Sequence, residues 1–295
     1  MAQTTLYQLE LNQGEVNCGM SYVIQLKNGQ FILIDGGYFT DGEAERLYHF
    51  LKERSNGSIH IAGWFFSHAH QDHVGVFLNF MEKYSGQVFV DKLYYNYQPV
   101  ELPVEDLDYK SSDPATVKEF YRVVKQYFSE DQIHTLKTGE ILPFHEVTFE
   151  VLYTQENLYP IQSTFNDYSS VLMMTVEGQK ILWLGDVYRM GSAYLLEHQK
   201  EKLHCDIVQI SHHGYGGATK ELYAGLDAKV ALWPTPDYRL NELSKSEVNH
   251  YLLEESTIQE HIVSGQGTAE LVLPYKIGTA NRFPKEFFQW GWTVG

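Results

Sequence analysis

Four side chains that can bind metal fall within six positions of this sequence, in the stretch His68-Ala69-His70-Gln71-Asp72-His73. An apolar run over residues 59–66 precedes the stretch and a segment with helical spacing follows it, which predicts a turn between a buried strand and a helix. Histidine nitrogen and carboxylate oxygen are ligands that zinc accepts. His68 and His70 project to one side of an extended chain, while Asp72 and His73 can face a second point. The spacing therefore suits two metal ions that share one rim, and a chance accumulation in a polar loop is the alternative.

The composition is that of a globular protein. With 295 residues and 43% hydrophobic content, the chain can build a substantial core in one large domain or two ordinary ones. No run of 18 apolar residues occurs, and the first residues lack a basic region followed by an apolar stretch. We therefore expect a soluble cytoplasmic protein. Cys18 and Cys205 are too few for a disulfide framework, and Cys205 is expected as a buried thiol within a strand.

Acidic residues dominate the charge. The net charge is −16, from 38 acidic and 22 basic residues, which repels a polyanion and argues against nonspecific nucleic-acid binding. Tyrosine is abundant, with a local cluster at Tyr94-Tyr95-Asn96-Tyr97. That cluster is either a ligand-binding wall or amphipathic packing, and packing is favoured because an aromatic body with a polar tip suits any half-buried surface.

Strand and helix patterns alternate along the chain. Strands are predicted at residues 6–11, 22–26, 30–34, 59–66, 88–95, 147–153, 171–176, 180–184, 206–210, 230–233, 261–263 and 268–273, with hairpins joining the pairs at 27–29, 177–179 and 265–267. Helices are predicted at 41–54, 73–84, 114–128 with Asp113 as N-cap, 191–200, 218–226 and 246–254. Residues 98–113 have no period and are interpreted as a loop or insertion. The strands fall in two batches with helices between them, which suits two sheets packed face to face under outer helices.

Three predicted strand ends carry ligand-type residues. They are the stretch His68 to His73, then Asp186, then His212 with His213. An aspartate after Leu-Gly is often only a turn residue, and a loop histidine can simply cap a helix. Placed at the same edge of the sheets, each of these residues strengthens the case for the others.

These motifs resemble the metallo-β-lactamase superfamily. The resemblance rests on His68 to His73, on Leu184-Gly185-Asp186 and on Ser211-His212-His213-Gly214, and it runs from about residue 6 to residue 275. Together with the later His-His-Gly, the stretch Asn166-Asp167-Tyr168-Ser169-Ser170 is most similar to the hydrolase domain of DNA-uptake competence proteins and to phosphorylcholine esterases. The implied fold is α+β, an αββα sandwich of two packed mixed β-sheets flanked by helices. It would form a single domain over residues 1–295, with an insertion at 98–130 and an unassigned aromatic tail at 276–295.

The resemblance also implies a dinuclear site at one edge of the two sheets. His68 and His70 would bind one metal, Asp72 and His73 the other, Asp186 would bridge them, and His212 or His213 would complete one shell.

Two departures from the family pattern bear on this site. Asn166 stands where many members have a third histidine, and asparagine is a poorer zinc ligand that can serve as a hydrogen-bond donor. Leu243 stands where the related branch has a late histidine, which leaves His250 and His261 as candidates. The second metal is therefore expected to be the weaker one, with a mononuclear or asymmetric site as the alternative.

The chemistry expected of such a site is hydrolysis. Two divalent ions, zinc first with manganese or iron as alternatives, would lower the pKa of a bridging water and supply hydroxide to a phosphodiester or phosphoester. Asp72 or Asp186 would take the proton, and His212 or His213, whichever is not a ligand, would act as acid. The alternatives are hydrolysis of another ester, a lactone or a β-lactam, and a metal-poor binding protein of the same fold. A choline head group enclosed by Tyr94 to Tyr97 is a further hypothesis.

Overall fold

A computed structural model describes residues 2–10, 19–40, 42–97, 113–157, 165–243 and 245–283. The strands in these ranges are β1 (Thr5–Gln8), β2 (Ser21–Gln25), β3 (Phe31–Asp35), β4 (Ile59–Phe65), β5 (Val88–Val90), β6 (Leu93–Tyr95), β7 (Ile133–Thr135), β8 (Ile141–Phe144), β9 (Val147–Tyr153), β10 (Val171–Val176), β11 (Gln179–Trp183), β12 (Ile207–Gln209), β13 (Val230–Trp233), β14 (Glu260–Val263), β15 (Ala269–Val272) and β16 (Asn281–Arg282). The helices are α1 (Glu43–Arg54), α2 (Gln71–Tyr84), α3 (Asp113–Tyr127), α4 (Arg189–His198), α5 (Lys220–Ala224), α6 (Asp237–Leu243) and α7 (Glu247–His250), which continues into a π-helical turn at Tyr251–Glu255.

The strands form two mixed sheets. The first has the order β16-β15-β1-β2-β3-β4-β6-β7, and β5 also pairs with β4. The second has the order β14-β13-β12-β11-β10-β9-β8. Each sheet combines antiparallel hairpins with parallel neighbours: β2 and β3 pair antiparallel, whereas β3 and β4 pair parallel.

Three layers of apolar side chains hold these elements together. A central layer lies between the sheets and contains Tyr22 and Phe65 of the first sheet with Phe149 and Trp183 of the second. A second layer lies between the first sheet and helices α1, α2 and α3, and a third lies between the second sheet and helices α4 and α5. Burial of apolar surface on both faces of both sheets is the main stabilising contribution in such an arrangement. The predicted αββα sandwich is confirmed.

The predicted hairpin at the end of the chain is wrong. Residues 265–267 do form a turn, but β14 pairs parallel with β13 in the second sheet. Strand β15 instead pairs antiparallel with β1 in the first sheet. The chain therefore crosses from one sheet to the other at a glycine-containing turn that locally resembles a hairpin connection.

Smaller corrections concern short elements. The single strand predicted at residues 88–95 is two strands, β5 and β6, which pair with different parts of β4. Strands β7 and β8 were not predicted. Cys205 is buried as expected, but it lies two residues before β12 rather than within it.

Several predictions fall outside the described residues. These include the aperiodic stretch at 98–112, Cys18, the side chains of Asp113 and Leu243, and the tail from residue 284 onward. Of the predicted insertion at 98–130, the described part includes α3, whose Phe120 is fully buried against Phe66 and Phe77. No helix among the described residues is long and apolar enough to cross a membrane.

Candidate metal centre

The stretch His68 to His73 connects the end of β4 to the first turn of α2, as predicted. Neighbouring loops fix this turn: Met20 N donates to Asp72 O at 3.0 Å, and Gly36 N donates to His73 O at 2.7 Å. The loop after β3 also passes directly over α2 at Gly75, where an added Cβ would lie 2.4 Å from the backbone nitrogen of Phe39. A side chain at this position would therefore displace the loop.

Asp35, at the end of β3, orients His73. Its Oδ2 lies 2.7 Å from Nδ1 of His73, and Ser67 donates to the same carboxylate through its backbone nitrogen at 2.8 Å and its hydroxyl at 2.7 Å. All three residues are buried. Because a carboxylate accepts hydrogen bonds, Nδ1 of His73 carries the proton and Nε2 is directed to the centre. Asp35 was not among the residues predicted for this site.

Asp186 follows β11 and is held through its backbone. Its N–H donates to Ser169 Oγ at 2.9 Å. The two preceding backbone nitrogens, of Leu184 and Gly185, both donate to Oε1 of the buried Gln209, at 2.9 and 2.8 Å. The second sheet thus positions this carboxylate through a neighbouring strand, β12, and through the turn that contains Ser169.

His213 follows β12 and has a left-handed backbone, with φ 53°. Its Nδ1 lies 2.9 Å from Pro234 O, and Thr235 Oγ1 donates to its carbonyl oxygen. A carbonyl oxygen can only accept, so Nδ1 carries the proton and Nε2 is the ligand atom available to the centre.

One group of possible ligands consists of Asp72, His73, Asp186 and His213, with ligand atoms all within 4.8 Å of one another. His213 Nε2 lies 3.3 Å from Asp72 Oδ2 and 3.4 Å from Asp186 Oδ2, and His73 Nε2 lies 3.0 Å from Asp186 Oδ2. Ligands at about 2.1 Å from a tetrahedral zinc ion are roughly 3.4 Å apart, so these spacings fit a metal. We call this set group B.

The other group, here called group A, consists of His68, His70 and Asp186. His68 Nε2 lies 2.9 Å from His70 Nδ1 and 3.7 Å from Asp186 Oδ2. Asp186 is the residue that both groups share. Its Oδ1 is buried and accepts no hydrogen bond from the described residues. A buried carboxylate oxygen in this state is costly unless a cation offsets its charge, so the donor set fits two cations.

Electrostatics favour the ionised carboxylates. Burial by itself would raise the pKa values of Asp72 and Asp186, but His73 and His213 hold both well below their usual range. Burial opposes a charge on His73, yet Asp186 and Asp35 raise its pKa to about 10. Burial, together with the charges of His73 and His70, lowers the pKa of His68 well below its usual value. A metal ion bound at Nε2 of His73 would compete with a proton for this atom.

The remaining predicted ligands lie elsewhere. His212 is outside both groups and its Nδ1 lies 2.9 Å from the Tyr188 hydroxyl. Trp233 Nε1 donates to His261, and the His250 side chain is 59% exposed next to Glu255, so neither belongs to the groups.

Asn166 is buried in the turn at Phe165–Tyr168. Phe165, in the same turn, stacks on the His70 ring with centroids 4.6 Å apart. Ser169, which follows the turn, has its hydroxyl 3.3 Å from His68 Nδ1. The segment that was predicted to replace a third histidine therefore packs against group A.

The tyrosine cluster is packing, as favoured from the sequence. The Tyr94 ring stacks on Phe65 at 4.5 Å, and Tyr95 packs edge-on against Phe120. Tyr97 donates from its hydroxyl to the carbonyl of His68 at 3.2 Å. Because these rings are buried, the hypothesis that they enclose a choline head group is wrong.

The fold and the ligand groups can be compared with those of known proteins. The model of the metallo-β-lactamase superfamily matches residues 18–156, which include the whole stretch from His68 to His73. The resemblance to this superfamily is confirmed, and the sandwich of two sheets agrees with it.

Solved structures give the same fold at low sequence identity. The metallo-β-lactamase fold protein YhfI from Bacillus subtilis aligns with a TM-score of 0.53 and 12% identity, covering 90% of this chain and 99% of YhfI. Unliganded yeast PDE1 aligns with a TM-score of 0.52 and 13% identity, covering 92% of this chain and all of PDE1 (100%). CmlA, a diiron β-hydroxylase from Streptomyces venezuelae, aligns with a TM-score of 0.52 and 12% identity, covering 92% of this chain and 55% of CmlA. None of the curated proteins matches the chain in sequence.

These findings support a metallo-β-lactamase fold with a candidate His/Asp metal site.

Proposed function

We propose that this protein is a metal-dependent hydrolase of a phosphodiester or phosphoester. The observation that carries the proposal is the pair of ligand groups that share the buried Asp186. Two divalent cations bound there would activate water and offset the charge of phosphoryl oxygens. A phosphoester suits this chemistry because both the attacking and the leaving oxygen gain contact with a cation.

The centre has a closed side and an open side. His68, His73, Asp186 and His213 are at most 1% exposed. Asp72 is 26% exposed at its side chain, and His70 and His212 are half-buried. We infer that substrate approaches from the side of these partly exposed residues. We propose Asp72 and Asp186 as proton acceptors and His212 as the acid.

The proposed metal ions are zinc, with manganese or iron as alternatives. The proposed substrate is a small phosphoester, and the overall charge of −16 disfavours nonspecific binding of nucleic acid. We also propose that the protein is cytoplasmic.

The test combines metal analysis with an assay. Metal is measured by mass spectrometry on the purified protein and after loading with zinc or manganese, and bis-p-nitrophenyl phosphate is assayed with and without chelator. We expect chelator-sensitive hydrolysis that His70→Ala abolishes. His198→Ala is the matched control, because its side chain is 50% exposed next to Glu197 on α4.

Two results contradict the proposal. A protein that holds no metal after loading is a binding protein of this fold and not a metal-dependent hydrolase. A metal-loaded protein that hydrolyses p-nitrophenyl acetate but not the phosphodiester belongs to the carboxylic ester alternative.

A further inference from the structure

Two stacked aromatic side chains, Tyr38 and Phe39, lie in the loop after β3. Their ring centroids are 4.5 Å apart, and the ring planes differ by 29°. Phe39 is 42% exposed, and Tyr38 is half-buried. Single exposed apolar residues are common on protein surfaces, so the meaning of this pair depends on what it lies next to.

The pair lies beside Asp72, the partly exposed member of group B. The backbone nitrogen of Tyr38 and the backbone oxygen of Asp72 both lie within 3.5 Å of the position of a Cβ added at Gly19. Burial and the charge of Asp72 raise the pKa of the Tyr38 hydroxyl, which agrees with this proximity. The Asp72 side chain is 26% exposed. The aromatic pair therefore borders the side from which substrate is proposed to approach.

Helix α2 holds the loop in place. Val76 N donates to Gly37 O at 3.1 Å, and Asn79 Nδ2 donates to Phe39 O at 3.0 Å. Positions 72, 76 and 79 share one face of a helix, because residues three and four apart are neighbours there. The loop thus runs along the face of α2 that begins at Asp72. A loop anchored in this way can present its rings without first paying to become ordered.

The exposed face of a stacked aromatic pair suits a flat ring. Aromatic rings attract one another in offset-stacked arrangements, and a ring that packs there is also removed from water. The contact needs neither a hydrogen bond nor a positive charge, so the acidic character of the protein does not oppose it. Ligand groups A and B could recognise only the phosphoryl part of a substrate, and the rest of the molecule needs contacts of its own.

We propose that the stacked pair of Tyr38 and Phe39 binds a flat ring carried by the phosphoester substrate, such as an aryl group or a nucleobase. Phe39, the more exposed ring, supplies most of the contact, and Tyr38 supports it. This inference rests on the proposed function and narrows its substrate class to phosphoesters with an aromatic ring.

The first test measures inhibition constants for the metal-loaded wild type, with bis-p-nitrophenyl phosphate as substrate. Phenyl phosphate should bind roughly 5- to 50-fold more tightly than methyl phosphate, because stacking on an aromatic side chain contributes affinity of this order. Adenosine monophosphate and ribose phosphate form a second pair that tests a nucleobase. A gain in either pair supports the inference and identifies the ring. Equal constants within both pairs overturn it.

The second test is Phe39→Ala. The inhibition constant of phenyl phosphate should rise to about that of methyl phosphate, while metal content and the constant of methyl phosphate stay at their wild-type values. Phe39→Tyr keeps the ring and should keep the tighter binding. Phe89→Ala is the matched control, because Phe89 is 66% exposed on β5, which pairs with the end of β4 that lies opposite His68.

The remaining outcomes separate the two proposals. An active wild type in which Phe39→Ala leaves the ratio of the phenyl and methyl phosphate constants unchanged overturns this inference alone. A Phe39→Ala variant that loses metal also overturns it, since the loop would then support the ligands. Tighter binding of phosphorylcholine than of phenyl phosphate overturns it as well, because the rings would then select a cationic head group. A metal-loaded wild type with no phosphodiester hydrolysis overturns the proposed function and this inference with it.

Discussion

Groups A and B share Asp186 but differ in their supply of ligands and in how those ligands are oriented. Group B has four possible ligands, and two of them are oriented by buried hydrogen bonds, His73 by Asp35 and His213 by Pro234 O. Group A has three, and each group has one half-buried member, His70 in group A and Asp72 in group B. More donors held in fixed orientations favour tighter metal binding. We therefore expect group B to bind its metal more tightly than group A.

On this expectation, the number of ligands in a contiguous motif does not determine the strength of a site. His68 to His73 contributes two residues to each group. What distinguishes the groups is the contribution of the second sheet, because His213 joins group B only. The expectation that the second metal is the weaker one assumed that the ligand missing at Leu243 has no substitute.

The largest effect is expected for Asp186→Ala. Loss of the shared ligand removes a donor from both groups, so neither metal is retained and hydrolysis falls to the level of chelator-treated protein. Metal content by mass spectrometry and the phosphodiester assay measure this. Asp227→Ala is the control, since that side chain is 52% exposed and bonded to Lys229. Retention of one full equivalent of metal would show that one group does not need Asp186.

The next largest effect distinguishes the two groups. Titration of zinc-loaded protein with a chromophoric chelator should show two steps in the wild type. His70→Ala should lose the weaker step, because it belongs to group A, and His213→Ala should lose the tighter one. If His213→Ala retains the tighter step, the ranking of the groups is reversed.

A smaller effect is expected for Asp35→Asn. The substitution weakens the orientation of His73, so the zinc affinity of group B falls about 10- to 100-fold while that of group A is unchanged. The same chelator titration measures both affinities. Asp91→Asn is a matched control. Asp91 forms a second Asp-His contact, with His60 at 2.8 Å, and this contact lies far from the ligand groups. Equal losses in both groups would argue that Asp35 supports the whole turn rather than His73.

The smallest effect is expected for Ser169→Ala. It removes the acceptor for the buried N–H of Asp186, which costs about 1 to 3 kcal/mol of unfolding free energy. Urea unfolding of the metal-free protein measures this, with the exposed Ser58→Ala as control. An unchanged midpoint would indicate that water replaces the hydroxyl.

The position of the stretch His68 to His73 was predictable because it depends only on neighbouring residues in the sequence. A buried strand, a short turn and a helix follow one another, so the four ligands could be placed from spacing alone. Asp35 was missed because its importance comes from β3 pairing parallel with β4, which brings both carboxyl ends to the same edge. An aspartate directly after a buried apolar strand was the signal, but its neighbouring strand cannot be identified locally.

Two further features could not be predicted from the local sequence. They are which of His212 and His213 belongs to a ligand group, and how the last strands pair. Both histidines have left-handed backbones, which decides the direction of each side chain and which the sequence Ser-His-His-Gly does not specify. The turn at residues 265–267 has the glycines of a hairpin, yet its two strands enter different sheets. Only the partner strands, far away in the sequence, determine this outcome.

The pairing of β1 with β15 has a consequence for synthesis on the ribosome. Thr5 lies opposite Val272, so one edge of β1 has no partner until residues 269–272 have been made. The turn with His68 to His73 is complete much earlier, and Asp186 and His213 follow later. During translation the nascent chain thus carries four of the six candidate metal ligands together with an open strand edge, which is a template for pairing with other chains. Completion of β15 closes that edge last.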